Sequence, residues 1–278
     1  MGAMLAAVGD LVDDIVVHLA GPVNEASDTN SKIVRRRGGS AANVAEMAAV
    51  LGHPARFLGQ VGSDTIGSVL VDELASAGVE VGCVRRDGRS GTIIVLVDEH
   101  GERTMLTDRA ACIQLLGPEW VWLDGVSMLH VPFYSLTHRP LADTATTLIG
   151  WAHKLEIRVS IDVSSVALIE GFGATRMIET LEALRPSIVF ANRDEAAALD
   201  ISGPIAGAVT VVKHGRDPVV AYAGDDWIEI PVRPIEHVTD TTGAGDAFAA
   251  GYLTSSEATV RAAVEAGCRA AASLITSR

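Results

Sequence analysis

The chain has 278 residues, 48% of them hydrophobic and 21% charged, a balance that suits a globular protein and is too apolar for disorder. Its 22 Lys and Arg against 35 Asp and Glu give a formal charge of −13, which argues against nucleic-acid binding, an affinity built on neutralising phosphates. Cys83, Cys112 and Cys268 are odd in number and lack CxxC spacing, which argues against a disulfide framework or a zinc site and for a reducing compartment. No apolar run reaches the roughly 18 residues of a membrane span. The apolar stretch 1–8 runs into Asp10, Asp13 and Asp14 without a basic leader, so it reads as a first strand and not a signal peptide. The expected location is the cytoplasm.

In chain order, short and largely apolar runs at 5–8, 55–61, 126–131, 157–161, 188–191 and 209–212 read as strands covered on both faces. Ala-rich stretches at 41–51, 66–77, 141–153, 175–184, 194–199, 247–253 and 259–274 read as helices, with Ser63-Asp64 and Ser255-Ser256 as cap candidates. The alternation predicts a three-layer α/β/α fold with a central, mainly parallel sheet. Two segments, 14–37 and 88–108, break that rhythm with β-prone pieces. They are expected to form a small antiparallel lid on a single domain spanning 1–278, since no repeat or linker divides the chain.

The heptapeptide Asp240-Thr241-Thr242-Gly243-Ala244-Gly245-Asp246 feeds the small apolar run 247–253. A Gly-rich turn entering a helix leaves several backbone N–H groups aimed one way at the positive end of the helix dipole, which makes a place for phosphate. Asp246 adds negative charge beside an anion. A carboxylate there makes sense where a hydroxyl must attack phosphorus, because it can orient that hydroxyl and take its proton. A plain helix cap is the other reading. A dinucleotide fingerprint would need glycine where Phe248 stands, and no lysine follows a GxxxxG as a Walker loop requires. A second double glycine, Gly38-Gly39, opens the helix at Ser40-Ala41-Ala42-Asn43. Ser40 can cap that helix. Asn43 is a poor helix former whose amide suits sugar hydroxyls, or else it is a surface residue.

Together the two motifs resemble the ribokinase-like (PfkB) family of carbohydrate kinases. The N-terminal pattern runs through Gly38, Gly39, Ala41, Asn43, Ala45, Gly52 and Gly62. The C-terminal one runs through Asp240, Thr241, Gly243, Ala244, Gly245, Asp246, Ala250 and Gly251. The resemblance implies an ATP-dependent phosphotransferase acting on a hydroxyl of a small sugar or sugar derivative. Asp246 would be the base, with Gly243, Ala244 and Gly245 holding the transferring phosphoryl group. It implies that Asp10, Asp14, Gly38, Gly39, Asn43 and Arg109 meet the substrate, and that Asn192, Lys213, Gly215, Thr241, Gly243 and Gly245 meet ATP. Asn192 and Glu195 match an NxxE element that organises Mg2+ through water.

Asp240 and Thr242 match one half of a site for a monovalent cation such as K+. The other half is expected to be missing, because the sequence ends at Thr276-Ser277-Arg278. Arg109 stands where many relatives carry a Gly-Ala-Asn turn, which leaves the substrate open.

The two lid segments contain no Phe, Tyr or Trp, which disfavours a nucleoside, whose base would stack on an aromatic ring. Phe133 and Tyr134 remain available from the main domain. A nucleoside kinase or a non-catalytic sugar- or nucleotide-binding relative are the alternatives. Arg35, Arg36, Arg37, Arg103 and Arg109 cluster near the lid, which fits an anionic sugar or simply a solvated face. Apolar residues on both faces of the lid pieces, such as Ile15, Val17 and Leu19 against Val16, predict a homodimer through the lids.

Overall fold

Six apolar segments become parallel strands, and most end in or lead to a polar residue at one common edge. The structure, a computed structural model, describes residues 4–277 apart from 206, 237, 239, 257 and 258. The N-terminal half contains β1 (Met4–Val8), β2 (Val12–Leu19), β3 (Ser31–Gly38), α1 (Ser40–Val50), β4 (Ala55–Leu58), β5 (Gln60–Val61), α2 (Thr65–Ser76), β6 (Arg85–Arg86), β7 (Thr92–Val97) and β8 (Arg103–Asp108). The rest contains β9 (Val126–Pro132), α3 (Leu141–Lys154), β10 (Arg158–Asp162), α4 (Val166–Phe172), α5 (Ala174–Leu184), β11 (Ile188–Asn192), α6 (Arg193–Ala198), β12 (Val209–His214), β13 (Asp217–Ala223), β14 (Asp226–Ile230), α7 (Ala244–Leu253) and α8 (Val260–Thr276).

The main sheet has the order β14-β13-β12-β11-β10-β9-β1-β4. Strands β4, β1, β9, β10, β11 and β12 are parallel, and the β13–β14 hairpin is antiparallel at one edge. Alternation along each strand splits the core in two. Ala6, Val8, Leu129 and Ile161 join Leu148, Met177 and Leu181 of α3 and α5, while Leu5, Ala7, Met128 and Phe190 join Ala45, Leu74, Phe248 and Val264 of α1, α2, α7 and α8. The expected three-layer α/β/α architecture is therefore observed.

The lid is a second, four-stranded sheet of order β3-β2-β7-β8. Its two hairpins are antiparallel, but the central β2–β7 pair is parallel, so the sheet is mixed and not antiparallel as expected. The two strands enter the lid separately, and a parallel pair needs a long connection. Here that connection runs through α1, β4 and α2.

The expected strand 55–61 breaks at Gly59, where a Cβ would lie 2.6 Å from the Gly9 carbonyl oxygen. Beyond it β5 pairs with β6 in a separate small sheet. Asp64 caps α2 as expected, accepting from the Gly67 amide at 2.8 Å. The cap of α8 is Thr259 and not the Ser255-Ser256 pair. Gly39 and not Ser40 occupies the cap position of α1. Residues 1–3 of the first apolar stretch lie outside the described residues.

Candidate active site

The polar ends of the parallel strands meet the N-termini of α1 and α7 at one edge of the sheet, where open α/β sheets bind ligands. Gly243 takes a left-handed conformation with φ of +77° and starts α7, and no side chain caps that helix. Asp246 sits three residues inside the helix boundary, so it is not the cap. Its carboxylate accepts from Ser40 Oγ at 2.6 Å and from Asn43 Nδ2 at 2.8 Å. Burial pushes this carboxyl up from its ordinary value against the two hydrogen bonds, which favour the charged form. Asn43 is not a surface residue: its Oδ1 accepts from Arg37 at 3.1 Å, and Arg37 also pairs with Glu46.

Gly38 makes room for Asp14, since a Cβ there would lie 2.4 Å from the Asp14 carboxylate. Asp14 Oδ1 is buried without a hydrogen-bond partner, and burial raises the carboxyl to about 6 despite the nearby Arg36. A cavity of about 320 Å³ runs from Asp14, Arg36, Arg37 and Asn43 to Thr242 and Gly243. Of the expected sugar-facing residues, Asp14 and Asn43 thus border one space with the Gly-rich turn, while Asp10, Gly38, Gly39 and Arg109 are not among its lining residues. Gly39 is needed for backbone contact, because a Cβ would meet the Asp10 carbonyl oxygen at 2.1 Å. Asp10 and Arg109 are brought together, but as a bidentate ion pair at 2.7 and 2.8 Å. Arg109 is also placed 3.4 Å from Thr137 Oγ1.

At the neighbouring strand ends, Lys213 donates to Asp162 at 2.9 Å. Burial works against the lysine charge, and Asp162 outweighs it, so the Lys213 pKa rises. Gly245 lies beside this ammonium, 3.4 Å from where its Cβ would stand. Asn192 and Glu195 form a capping box on α6: Glu195 accepts from the Asn192 amide at 2.8 Å and from Nδ2 at 2.7 Å. Burial and then the charge of Asp162 push Glu195 up to about 7. Gly215 shapes the turn between β12 and β13 with φ of +65°, and Thr241 is exposed in the approach to Gly243. No group of three or more His, Cys, Asp or Glu that could hold a metal is found among the described residues.

Asp240 is engaged by Arg36 at 3.1 Å and Arg103 at 2.7 Å, and by the amide and hydroxyl of Thr242 at 2.8 and 2.5 Å. Burial would raise its carboxyl, but these donors outweigh it and hold the group well below the usual range. Sequence reasoning missed this double clasp, and it missed Asp162 and the contact of Ser40 with Asp246. Asp162 was findable by the same signal as Asp10, an acidic residue closing an apolar strand.

A model of the pfkB family of carbohydrate kinases matches residues 3–278. The chain belongs to that family. An ATP-dependent ribose-1-phosphate kinase from Halopiger xanaduensis is 33% identical over 225 residues, 78% of this chain and 72% of that protein. A fructokinase from Klebsiella pneumoniae is 28% identical over 270 residues, 91% and 84% of the two chains. The crystal structure of adenosine kinase from Sinorhizobium meliloti superposes with a TM-score of 0.85 at 23% identity, covering 99% of this chain and 94% of that one. As a member of that family it is a carbohydrate kinase, an enzyme that transfers a phosphoryl group to a carbohydrate hydroxyl. No helix among the described residues is long and apolar enough to cross a membrane.

Proposed function

We propose that Asp246 is the general base of a sugar kinase whose acceptor hydroxyl lies in the cavity between Asp14 and Gly243. The observation that carries this reading is the position of Asp246. It is held from α1 by Ser40 and Asn43 and stands in the first turn of a helix that has no side-chain cap hydrogen bond. A carboxylate has about four acceptor positions, so two hydrogen bonds leave room for a substrate hydroxyl. Asp246 takes the proton as the hydroxyl oxygen bonds to the terminal phosphorus of ATP, and the bond from that phosphorus to the bridging oxygen breaks to release ADP. The amides at Gly243 and Gly245 face the charge that gathers on the transferring oxygens, whereas the Ala244 amide, expected to join them, donates to the Thr241 carbonyl at 3.0 Å and braces the turn. Lys213, with Asn192, Gly215 and Thr241, lines the approach for the nucleotide. Were ATP to bind as its magnesium complex, Asn192 and Glu195 would be the residues that hold the ion, which would supply positive charge against the phosphate oxygens.

Two observations favour an uncharged sugar over a nucleoside or a phosphate ester. The lid strands carry no aromatic ring. The arginines near the cavity are committed to carboxylates: Arg35 to Asp13, Arg36 and Arg103 to Asp240, Arg37 to Glu46 and Arg109 to Asp10. What lines the cavity instead is the Asp14 carboxylate, one oxygen of which is buried without a partner, an acceptor suited to a sugar hydroxyl.

The other face of the lid supports a homodimer. By cross-strand register Ile15, Val17, Ile33, Ile94, Leu96 and Leu106 share the face opposite Asp14 and Arg36. Ile33 and Leu106 are 63% and 53% exposed, and a two-fold pairing of lids buries such a face. Light scattering that reports 29.1 kDa at micromolar concentration would refute it. The three cysteines are free, in keeping with a cytoplasmic protein.

Asp246→Asn is the decisive test. It keeps size and helix position, so folding and ATP binding persist, while turnover falls by about 10²–10⁴ for loss of a general base. A variant that keeps more than about a tenth of wild-type turnover removes Asp246 from this role.

A further inference from the structure

The resemblance to this family gives Asp240 and Thr242 to a monovalent cation, and the residues present do not fit one. Asp240 Oδ1 accepts from Arg103 Nη2 at 2.7 Å and from the amide and hydroxyl of Thr242, and Oδ2 accepts from Arg36 Nη1 at 3.1 Å. The second guanidinium nitrogen of Arg103 also donates to Thr242 Oγ1. Both carboxylate oxygens and the threonine hydroxyl therefore face positive donors. A cation placed on the same oxygens would sit against two guanidinium groups.

The two arginines come from opposite edges of the lid. Arg36 lies on β3 and Arg103 on β8, the outermost strands of the order β3-β2-β7-β8. Three strand spacings separate those edges, about 14 Å. Pairing places Arg36 opposite Asp14, and Arg103 opposite Val97, which in turn faces His18. Both arginines therefore share the lid face that carries Asp14 over the cavity. Their convergence on one carboxylate ties the sheet down at both edges, which opposes rocking as well as lifting. The anchored residue stands three positions before Gly243, so the tie also fixes the turn that enters α7.

We propose that Arg36 and Arg103 are positioning residues that latch the lid to the Asp240–Gly243 turn and take, with guanidinium, the place of a monovalent cation. The proposal rests on the kinase reading only for its consequence in turnover. The latch itself is a property of the ligand-free chain.

The test uses the full chain with Arg103→Ala, Arg36→Gln and Asp240→Asn, and with Arg35→Ala as a control that breaks a lid ion pair outside the latch. Hydrogen exchange in the absence of substrate is read on peptides covering 240–246, 31–38 and 103–108. Each latch variant is expected to speed exchange in all three peptides by about tenfold, while the control leaves 240–246 unchanged. Unchanged exchange at 240–246 in the latch variants overturns the proposal, whatever the catalytic activity. If one variant fails to fold, the remaining two carry the same measurement from the other side of the pair.

Turnover is then measured in potassium, sodium or tetramethylammonium chloride at equal ionic strength. Wild-type rates are expected to agree within about twofold, and a potassium stimulation beyond about fivefold overturns the substitution of guanidinium for a cation. Millimolar guanidinium chloride is expected to restore part of the Arg103→Ala turnover and to leave the control unaffected. Absence of any rescue, with exchange unchanged, returns Arg103 to an ordinary surface contact.

Discussion

Gly38→Ala isolates the contribution of Asp14 without touching its chemistry. The new Cβ would lie 2.4 Å from Cγ, Oδ1 and Oδ2 of Asp14, closer than any nonbonded contact allows. Gly38 ends β3 and is itself buried, opposite Val12 in the register, so the backbone has little room to yield and the carboxylate must turn away. The substrate then loses a hydrogen bond to a charged acceptor, worth about 1.5–3 kcal/mol. At 1.4 kcal/mol per factor of ten that raises the sugar KM roughly 10- to 150-fold. Overpacking costs a further 1–3 kcal/mol or so of stability. The KM for ATP should move by less than about twofold, since Asp14 lies on the lid strand β2 while Lys213 and Asn192 lie on β12 and β11 of the main sheet. Coupled assays that vary sugar and ATP in turn, on the best wild-type substrate, read both constants. A sugar KM changed by less than about threefold, or an equal rise in the ATP KM, would refute the placement of Asp14.

Asp14→Asn should stabilise the fold in a pH-dependent way. The carboxyl is raised to about 6 from its ordinary 3.8, so the fold disfavours its charge, fully above pH 6 and not at all below about 4. The melting temperature of the variant should exceed wild type most at pH 7–8, by the equivalent of about 1 kcal/mol after allowance for partial exposure, and converge with it near pH 4. A difference independent of pH would contradict the assignment. Gly251→Ala should lower the melting temperature by the equivalent of about 1–3 kcal/mol, because its Cβ would lie 2.6 Å from Ala270 Cβ and 2.7 Å from the Ala266 carbonyl oxygen. Scanning calorimetry showing no loss would mean that α7 and α8 separate freely.

The layers were legible because burial on both faces leaves a plain mark: 5–8 and 188–191 are continuous apolar runs, and both belong to central strands. The β13–β14 hairpin left no such mark. It is an edge pair with exposed Asp217, Asp226 and Trp227 and a short turn at Gly224, so only one side of its pattern is apolar. The mixed lid was hidden for another reason: strand direction depends on the connection, and the path through α1, β4 and α2 is invisible to local periodicity. At the candidate site, the motif residues Asp246, Asn43 and Gly38 stand out in the sequence because their types are unusual for their places. The partners of the arginines do not, since Arg36 and Asp240 are 204 residues apart in sequence. A cluster of arginines reads as a binding surface until its carboxylates are located.

The same distance argument explains the buried alanines of α1 and α7. Ser40 and Asn43 must reach Asp246 across 206 and 203 residues of chain with hydrogen bonds of 2.6 and 2.8 Å, and short side chains span that gap only if the two helices approach closely. Ala41, Ala42, Ala45 and Ala48 of α1 are fully buried, as are Ala247 and Ala250 of α7. A methyl group in each position lets the backbones close up, where leucines would hold the helices apart by their own bulk. Behind α7, Gly251 and Gly267 admit α8 at a spacing that no Cβ would permit at either position. Packing and chemistry are therefore one constraint here. The small residues fix the distance, the distance permits the two hydrogen bonds, and those bonds offset part of the rise that burial imposes on the Asp246 carboxyl. Any enlargement within these helices should therefore perturb turnover through Asp246 before it unfolds the protein.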